Sequence, residues 1–340
     1  MSSRPSLRGH LQHPMRLLLL GYAGFSASLG LLLGWLVIRD LQWGGLTRTL
    51  SSAHFPLVFL SFATILLAGL LRGLRWKMLL AGHRVSALRL FFIEQTGSAL
   101  DTLSPVHVLD EVVQVGILTL RDRLQAGVVL ATLAVQRSLE FATTILVLTS
   151  GAFILAPLQR FWPYLATGLA LSVAALGLLF TIGPVVAKLP VVSKVRFVVE
   201  FAASMRYLRR KKRLALGAFA LSICQAILIG VAGWLVAKAT GIPLGITSMV
   251  VITLGIQFFS SSVPGLPMAV GTFEFGAVFL LGLWGTSREE ATGFAVVLHA
   301  VMYLAPIAVT LVFLPREGLF SLRRLNRLAA GAKGGGPQES

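Results

Sequence analysis

The chain is poor in charge, and poorer still in negative charge. Only 13 of its 340 residues are Asp or Glu, and the charged share of 13% is about half of what a soluble domain carries. With 56% hydrophobic residues and a mean hydropathy of +0.82, the chain holds more apolar surface than a water-soluble fold can hide. Soluble enzyme folds are thereby excluded, and the bilayer is the natural solvent. Cysteine is almost missing: Cys224 alone, inside an apolar run, excludes an internal disulfide. No HExxH, GxSxG or phosphate-binding loop is present, no Cys or His falls at metal-ligand spacing, and no extramembrane stretch is large enough to hold a substrate. Neither a metal nor a cofactor is expected, and the chain does not read as an enzyme. The shortage of acids leaves a net charge of +17. Nucleic-acid binding would need a basic surface with interleaved aromatics on a folded soluble module, and none accompanies this charge. In a membrane protein the excess reports cytoplasmic lysine and arginine.

What the sequence does have is long apolar runs. About 20 apolar residues cross the hydrocarbon core as a helix. Six stretches qualify: Leu17–Ile38, Phe55–Leu71, Ala126–Leu155, Tyr164–Ala187, Leu214–Ala237 and Glu290–Leu314. The first outlasts a signal-peptide core and reads as a membrane anchor. Two further apolar regions, Leu88–Leu120 and Ile246–Gly285, are broken by polar, proline-containing centres, Gly97–Pro105 and Ser260–Pro267. Irregular backbone at membrane depth survives only where protein or a water-filled cavity surrounds it. The reading is therefore an all-α polytopic membrane protein, with six full transmembrane helices and two re-entrant helical hairpins.

Charge tests this topology. Of the 30 Lys and Arg, 24 fall in the N-terminus, the stretch after Leu71, the turn Arg121–Arg123, the loop Lys188–Arg213 and the C-terminal tail. Five fall on the other side, and Arg137 lies inside a span. Both termini are therefore expected in the cytoplasm, at a bacterial-type inner membrane. Letting each broken region cross fully would give eight spans and move the basic loop outward. The order of elements (span, span, hairpin, span, twice) predicts an inverted repeat, 17–155 and 164–314, whose hairpins dip from opposite faces. The membrane domain runs over 17–314, with a basic N-terminus at 1–16, and the tail from 315 reads as disordered. Inverted repeats with broken helices near the midplane are a transporter architecture.

Six acids fall in membrane elements: Glu94, Asp101, Asp110, Glu111, Glu140 and Glu274. A charge at the bilayer centre costs about 3 kcal/mol, which makes each a functional candidate. Arg137 and Glu140, three apart on one helix, share a face. They form either an ion pair that fixes register or, through Arg137, a phosphate holder inside the membrane. Gly271 fits an N-cap and Glu274 the third helical position. The carboxylate then either caps the helix or faces a translocation cavity, meeting a cationic head group or a coupling proton. Ser104-Pro105 resembles a helix start, with Asp101 on the loop before it. Because neighbours such as Asp110 and Glu111 do not share a helix face, one is expected in a cavity and the other towards the surface.

His107 and His299 are lone histidines and read as satisfied core or cavity residues. Gly30 and Gly34 form a GxxxG, suited to close helix packing. Arg72-Gly-Leu-Arg75-Trp76-Lys77 reads as an interfacial anchor. The stretch Val191–Arg213 resembles an amphipathic helix lying on an anionic inner leaflet. An intramembrane enzyme has only Ser104 with His107 to offer, which is too little.

At Pro264-Gly-Leu-Pro267-Met-Ala-Val-Gly271-Thr-Phe-Glu274, with the apolar helix that ends at Gly285, the chain resembles the flippase-like family named after the transmembrane region of lysylphosphatidylglycerol synthases. Pro267, Gly271 and Glu274 match its pattern, while Met268 and Ala269 replace a usual double glycine. Arg137-Ser-Leu-Glu140 matches an Arg-x-x-acid segment, and Arg72–Leu80 an Arg-Trp stretch. In the first hairpin Pro105 and Glu111 match; Asp101 stands where asparagine is usual, Gln114 and His299 where arginine is common. The resemblance implies movement of a lipid or lipid-linked head group between leaflets, or support of an enzyme that makes one, such as a glycosyltransferase. Membrane lipids are the implied partners, with an aminoacylated phospholipid and a polyprenyl-linked sugar both open as substrate. No aminoacyl-transfer domain follows Leu314. Glu274, Arg137, Glu140 and Asp101 are expected to line the head-group cavity.

Overall fold

The computed structural model describes residues 8–80, 82–102, 109–186 and 196–316. Among these there are twelve α-helices and no strands. Six helices are long and apolar enough to cross a membrane: α1 (Arg8–Ile38), α3 (Phe55–Leu79), α6 (Ala126–Ile154), α7 (Trp162–Val186), α9 (Lys212–Ala239) and α12 (Arg288–Arg316). Each coincides with an apolar run found in the sequence. The expected broken regions are helix pairs. α4 (Ala87–Asp101) is followed by α5 (Leu109–Leu120), which packs back on it. α10 (Ile246–Ser262) leads through a short 3-10 turn, Pro267–Ala269, to α11 (Thr272–Gly282), which packs back on α10. Ser104, Pro105 and His107 lie outside the described residues.

Three features depart from the sequence reading. α3 does not stop at Leu71. It runs on to Leu79, because Trp76, Leu79 and Leu80 supply another buried turn. Trp76 is fully buried and its indole N–H donates to Thr132 Oγ1 at 3.1 Å, so the Arg72–Lys77 stretch is core and not an interfacial anchor. A short helix, α2 (Trp43–Ser51), occupies the connection between the first two spans and packs on α12. Finally, α8 (Arg196–Arg210) forms where an amphipathic helix was expected, but it packs on α6 and α7. Ala202, Met205 and Leu208 on its apolar face are buried against the protein, so that stripe is not free to lie on lipid.

Small residues set how closely the central helices approach. A Cβ at Gly73 of α3 would stand 2.8 Å from the backbone of α4, at the carbonyl of Ala87 and the nitrogen of Phe91. That contact brings α4 alongside the basic end of α3. The packing of α3 on α9 is tied by the Ser61 hydroxyl, which donates to the carbonyl of Ala232 at 2.9 Å. α7 stands at the periphery: 6% of its apolar stretch is buried, against 56% for α6, so α7 is built to face lipid.

Candidate functional site

The centre of the helix assembly holds an arginine–carboxylate network drawn from four elements. From α6, Arg137 reaches three acids. Its Nε donates to Glu111 Oε1 at 3.0 Å, its Nη1 to Glu140 Oε2 at 3.2 Å, and its Nη2 to Asp110 Oδ2. From α3, Arg75 is fully buried and donates to Glu140 Oε1 and, at 2.9 Å, to the hydroxyl of Ser222 on α9. Arg72, one turn earlier, lies 3.0 Å from Glu140, and 3.7 Å from both Glu94 and Asp110. Amides close the periphery: Gln136 donates to Glu94 and Gln114 to Asp110. Three guanidinium groups thus face four carboxylates. A buried ion holds its place only with such pairing, since breaking one partner out costs about 3 to 5 kcal/mol.

The network settles several expectations about single residues. Arg137 and Glu140 do pair along their helix face, as their spacing indicates. Asp110 and Glu111, though adjacent, both reach Arg137 and both line the cavity beside it, so neither is turned to the surface. The guanidinium fork explains this, because Nε and Nη2 are separate donors and each donates to its own carboxylate. Asp101 is the last residue of α4 and not part of a loop; its carboxylate accepts from the backbone N–H of Leu109 at 3.0 Å and so caps α5.

Three adjoining chambers, of about 460, 340 and 210 Å³, surround the network and share Arg72 and Gln257. Arg137 and Glu140 line the largest; Asp101 and Glu111 line the second. Arg75 also lines the largest, and the remaining polar lining consists of hydroxyls and amides, among them Ser98, Ser222, Gln225 and Ser261. Two donors of Arg72, Nε and Nη2, are buried without an aligned hydrogen-bond acceptor. Gln225 Oε1 is likewise without a hydrogen-bond partner.

Glu274 and His299 are set apart from this network. Gly271 (φ +87°) caps α11, and its N–H donates to Glu274 Oε2 at 2.7 Å, which is the capping role its position suggests. The other carboxylate oxygen meets His299 Nδ1 at 2.5 Å. Neither Glu274 nor His299 is in the lining of the chambers. Phe273 and Tyr303, whose rings lie 4.6 and 4.4 Å from the His299 ring, are. Pro267 opens the 3-10 turn just before.

Arg72, Arg75, Ser222, Gln225, Gln257 and Tyr303 were not singled out as site residues from sequence. For the two arginines a signal was present. They stand three apart, hence on one face, beside Gly69 and Gly73 and ahead of a second apolar stretch at Trp76–Leu80. The amides and hydroxyls come from helices distant in sequence, and only packing assembles them.

Comparison with curated proteins and with solved structures returns no match. The family model described as "Lysylphosphatidylglycerol synthase TM region" matches residues 18–310, nearly the whole chain. The chain therefore belongs to that family of membrane domains: it is a multi-pass membrane protein whose function is tied to membrane lipid.

Proposed function

We propose that the chain is a flippase-like transporter, carrying the head group of a phospholipid or lipid-linked substrate between leaflets through the central chambers. The observation that carries this reading is Arg72. It stands where all three chambers meet, inside a bundle of apolar helices, with two donors unspent in aligned hydrogen bonds. A phosphate oxygen is the acceptor that a guanidinium fork suits. Asp101, Asp110, Glu111 and Glu140 outnumber the three lining arginines, so the rest of the head group meets a lining that favours hydroxyl and cationic groups. Arg137 is the most open of the three cavity arginines and takes up the phosphate as it moves, Glu111 giving way.

The packing pattern supports an inverted repeat with two re-entrant pairs. α4 lies on α3 and α12; α10 lies on α9 and α6. The pair partners follow suit, α5 on α6 and α11 on α12, as do the two short helices, α2 on α12 and α8 on α6. These contacts have counterparts with the halves exchanged; the first spans depart, α1 lying on α11 and α7 on α6 and α8, and α8 packs in addition on α9. In this reading both termini are cytoplasmic at an inner membrane. With Arg72 and Arg75 counted inside, 22 cations remain on that side against five outside. The basic stretch Arg209–Arg213, where α8 gives way to α9, then meets the anionic leaflet.

The test is reconstitution into vesicles carrying fluorescent phosphatidylglycerol or its aminoacylated form, with an impermeant quencher reporting arrival in the outer leaflet. Arg72→Lys keeps the charge but loses the fork, and Arg137→Ala removes the second holder. A lost charge-assisted hydrogen bond is worth about 1.5 to 3 kcal/mol, so transfer should slow by about tenfold or more in each. Unchanged transfer in both folded variants overturns the site; no transfer of any lipid by the wild type overturns the function.

A further inference from the structure

The imidazole of His299 is held at both nitrogens, and both neighbours are acceptors. Nδ1 lies 2.5 Å from Glu274 Oε1, and Nε2 lies 2.8 Å from the carbonyl oxygen of Met268. A neutral imidazole has one N–H and one bare nitrogen, whereas only the imidazolium has two donors. The Met268 carbonyl accepts and never donates, so Nε2 must carry a hydrogen. Nδ1 then faces a carboxylate oxygen. Either Nδ1 is protonated and donates to an ionised Glu274, or Glu274 is protonated and donates to Nδ1. Both arrangements contain one proton more than an ionised Glu274 beside a neutral His299. The second carboxylate oxygen does not alter this count, since it accepts from Gly271.

Electrostatics point the same way. With the extra proton the pair is neutral overall in either arrangement. Without it, one negative charge is left within membrane-spanning helices, where ions are expensive. Other titratable groups face the pair from the elements packed around it. Tyr303 is one turn on along α12, Asp101 lies at the end of α4, and Arg72 of α3 shares the chambers with Tyr303. α10 carries no charged residue, and from Gly21 onward α1 has only Tyr22 to titrate. The one cation among them, Arg72, is engaged by Glu140, Glu94 and Asp110.

The bond to Met268 also has mechanical meaning. Met268 and Ala269 both have positive φ, 63° and 57°, a backbone state that L-residues adopt at a cost. The Met268 N–H donates to the carbonyl of Thr102, at the end of α4, at 2.8 Å. Met268 is therefore gripped from two sides, by α12 through its carbonyl and by the first helix pair through its N–H. We propose that Glu274 and His299 form a proton-binding site, and that the one proton they share holds the turn of the second helix pair against α12, where the Met268 N–H reaches the end of α4. Loss of that proton leaves too few donors for both bonds, so one of the two fastenings opens.

This inference rests on the geometry of the turn, and its readouts do not measure lipid movement; its failure would leave the transport reading standing. The full chain in lipid nanodiscs, with isotope-labelled imidazole nitrogens, is followed across about pH 5 to 8, where histidines ordinarily change charge. His299→Gln assigns the resonances, and infrared difference spectra between wild type and Glu274→Gln report a protonated carboxyl. The expected result is two protonated nitrogens on His299, or one together with a carboxylic acid band that Glu274→Gln removes. A neutral His299 beside an ionised Glu274 throughout that interval overturns the proposal.

The holding role has its own readout. Spin labels at Val112→Cys and Val270→Cys, in a Cys224→Ser background, measure the separation of the two helix pairs. Glu274→Gln retains both bonds without the extra proton, its amide N–H donating to Nδ1 and its carbonyl accepting from Gly271. It should keep the wild-type distance distribution. His299→Phe removes both bonds and should broaden it; Glu274→Leu makes the same comparison if that variant does not fold. Identical distributions in wild type and in the bond-breaking variant overturn the holding role.

Discussion

At the scale of single residues, the strongest constraint falls on Arg75, which is fully buried and donates from Nη1 to Ser222 and from Nη2 to Glu140. Arg75→Ala should lower stability by about 3 to 5 kcal/mol, because Glu140 keeps its charge while losing its closest fork. Thermal unfolding in detergent, followed by tryptophan fluorescence, reads this directly. Combining it with Glu140→Gln should cost much less than the sum, since the second change removes the charge that the first leaves to Arg72 and Arg137. Strict additivity would mean that the two groups do not act as a pair. The contrast between Arg137 and Arg75 marks what a sequence discloses. Arg137 interrupts a long apolar run and has Glu140 on its own face, so its burial and one partner are legible. Arg75 closes an apolar run, where arginines ordinarily extend to the interface. Its partners lie 65 and 147 residues away, and no local pattern encodes them. The same holds for His299: its type and position are plain, but its bond to Glu274 exists only because α11 and α12 pack together.

At the scale of elements, turn chemistry was the more legible part and short amphipathic helices the less. Gly271 and Glu274 announce a helix start by residue type and spacing alone, and the start is where they place it. Gly271→Ala should be destabilising on two counts. Its φ of +87° is costly for any residue with a Cβ, about 1 to 3 kcal/mol, and that Cβ would overlap the carbonyl of Gly30 on α1. A melting temperature equal to wild type would mean that α1 does not pack against this turn. α2 has nine residues, two of them glycines, and carries a weak helical signal. It is fixed by tertiary contact instead: Leu46 is buried, and Gly45 lies against the side chain of Glu289. α8 was legible as a helix but not in its seat. An apolar stripe is equally suited to lipid and to protein, and only the packing of Met205 and Leu208 on α6 and α7 distinguishes them.

At the scale of the whole molecule, the two short helices pack alike on long ones, α2 on α12 and α8 on α6. If the halves are inverted, these helices lie at opposite faces of the membrane. In a Cys224→Ser background, Thr47→Cys should then react with an impermeant thiol reagent on intact cells. Arg210→Cys should react only after the membrane is opened. Labelling of both from one side would dismiss the inverted arrangement and the six-span topology together. The interior also becomes more balanced than a residue count by segment suggests, with three arginines among six acids, because α3 carries two of them inward.

That inward pair bears on how the protein is made. Arg72 and Arg75 sit near the C-terminal end of α3, so a newly inserted α3 can keep both at the membrane surface on their long stems. Glu94 and Glu140 reach the membrane later, with α4 and α6, and Ser222 later still, with α9. The arginines have no reason to leave water until those partners arrive. Completion of α3 therefore waits on synthesis of a helix 147 residues downstream, and biogenesis of the site is an end-stage event rather than a helix-by-helix one.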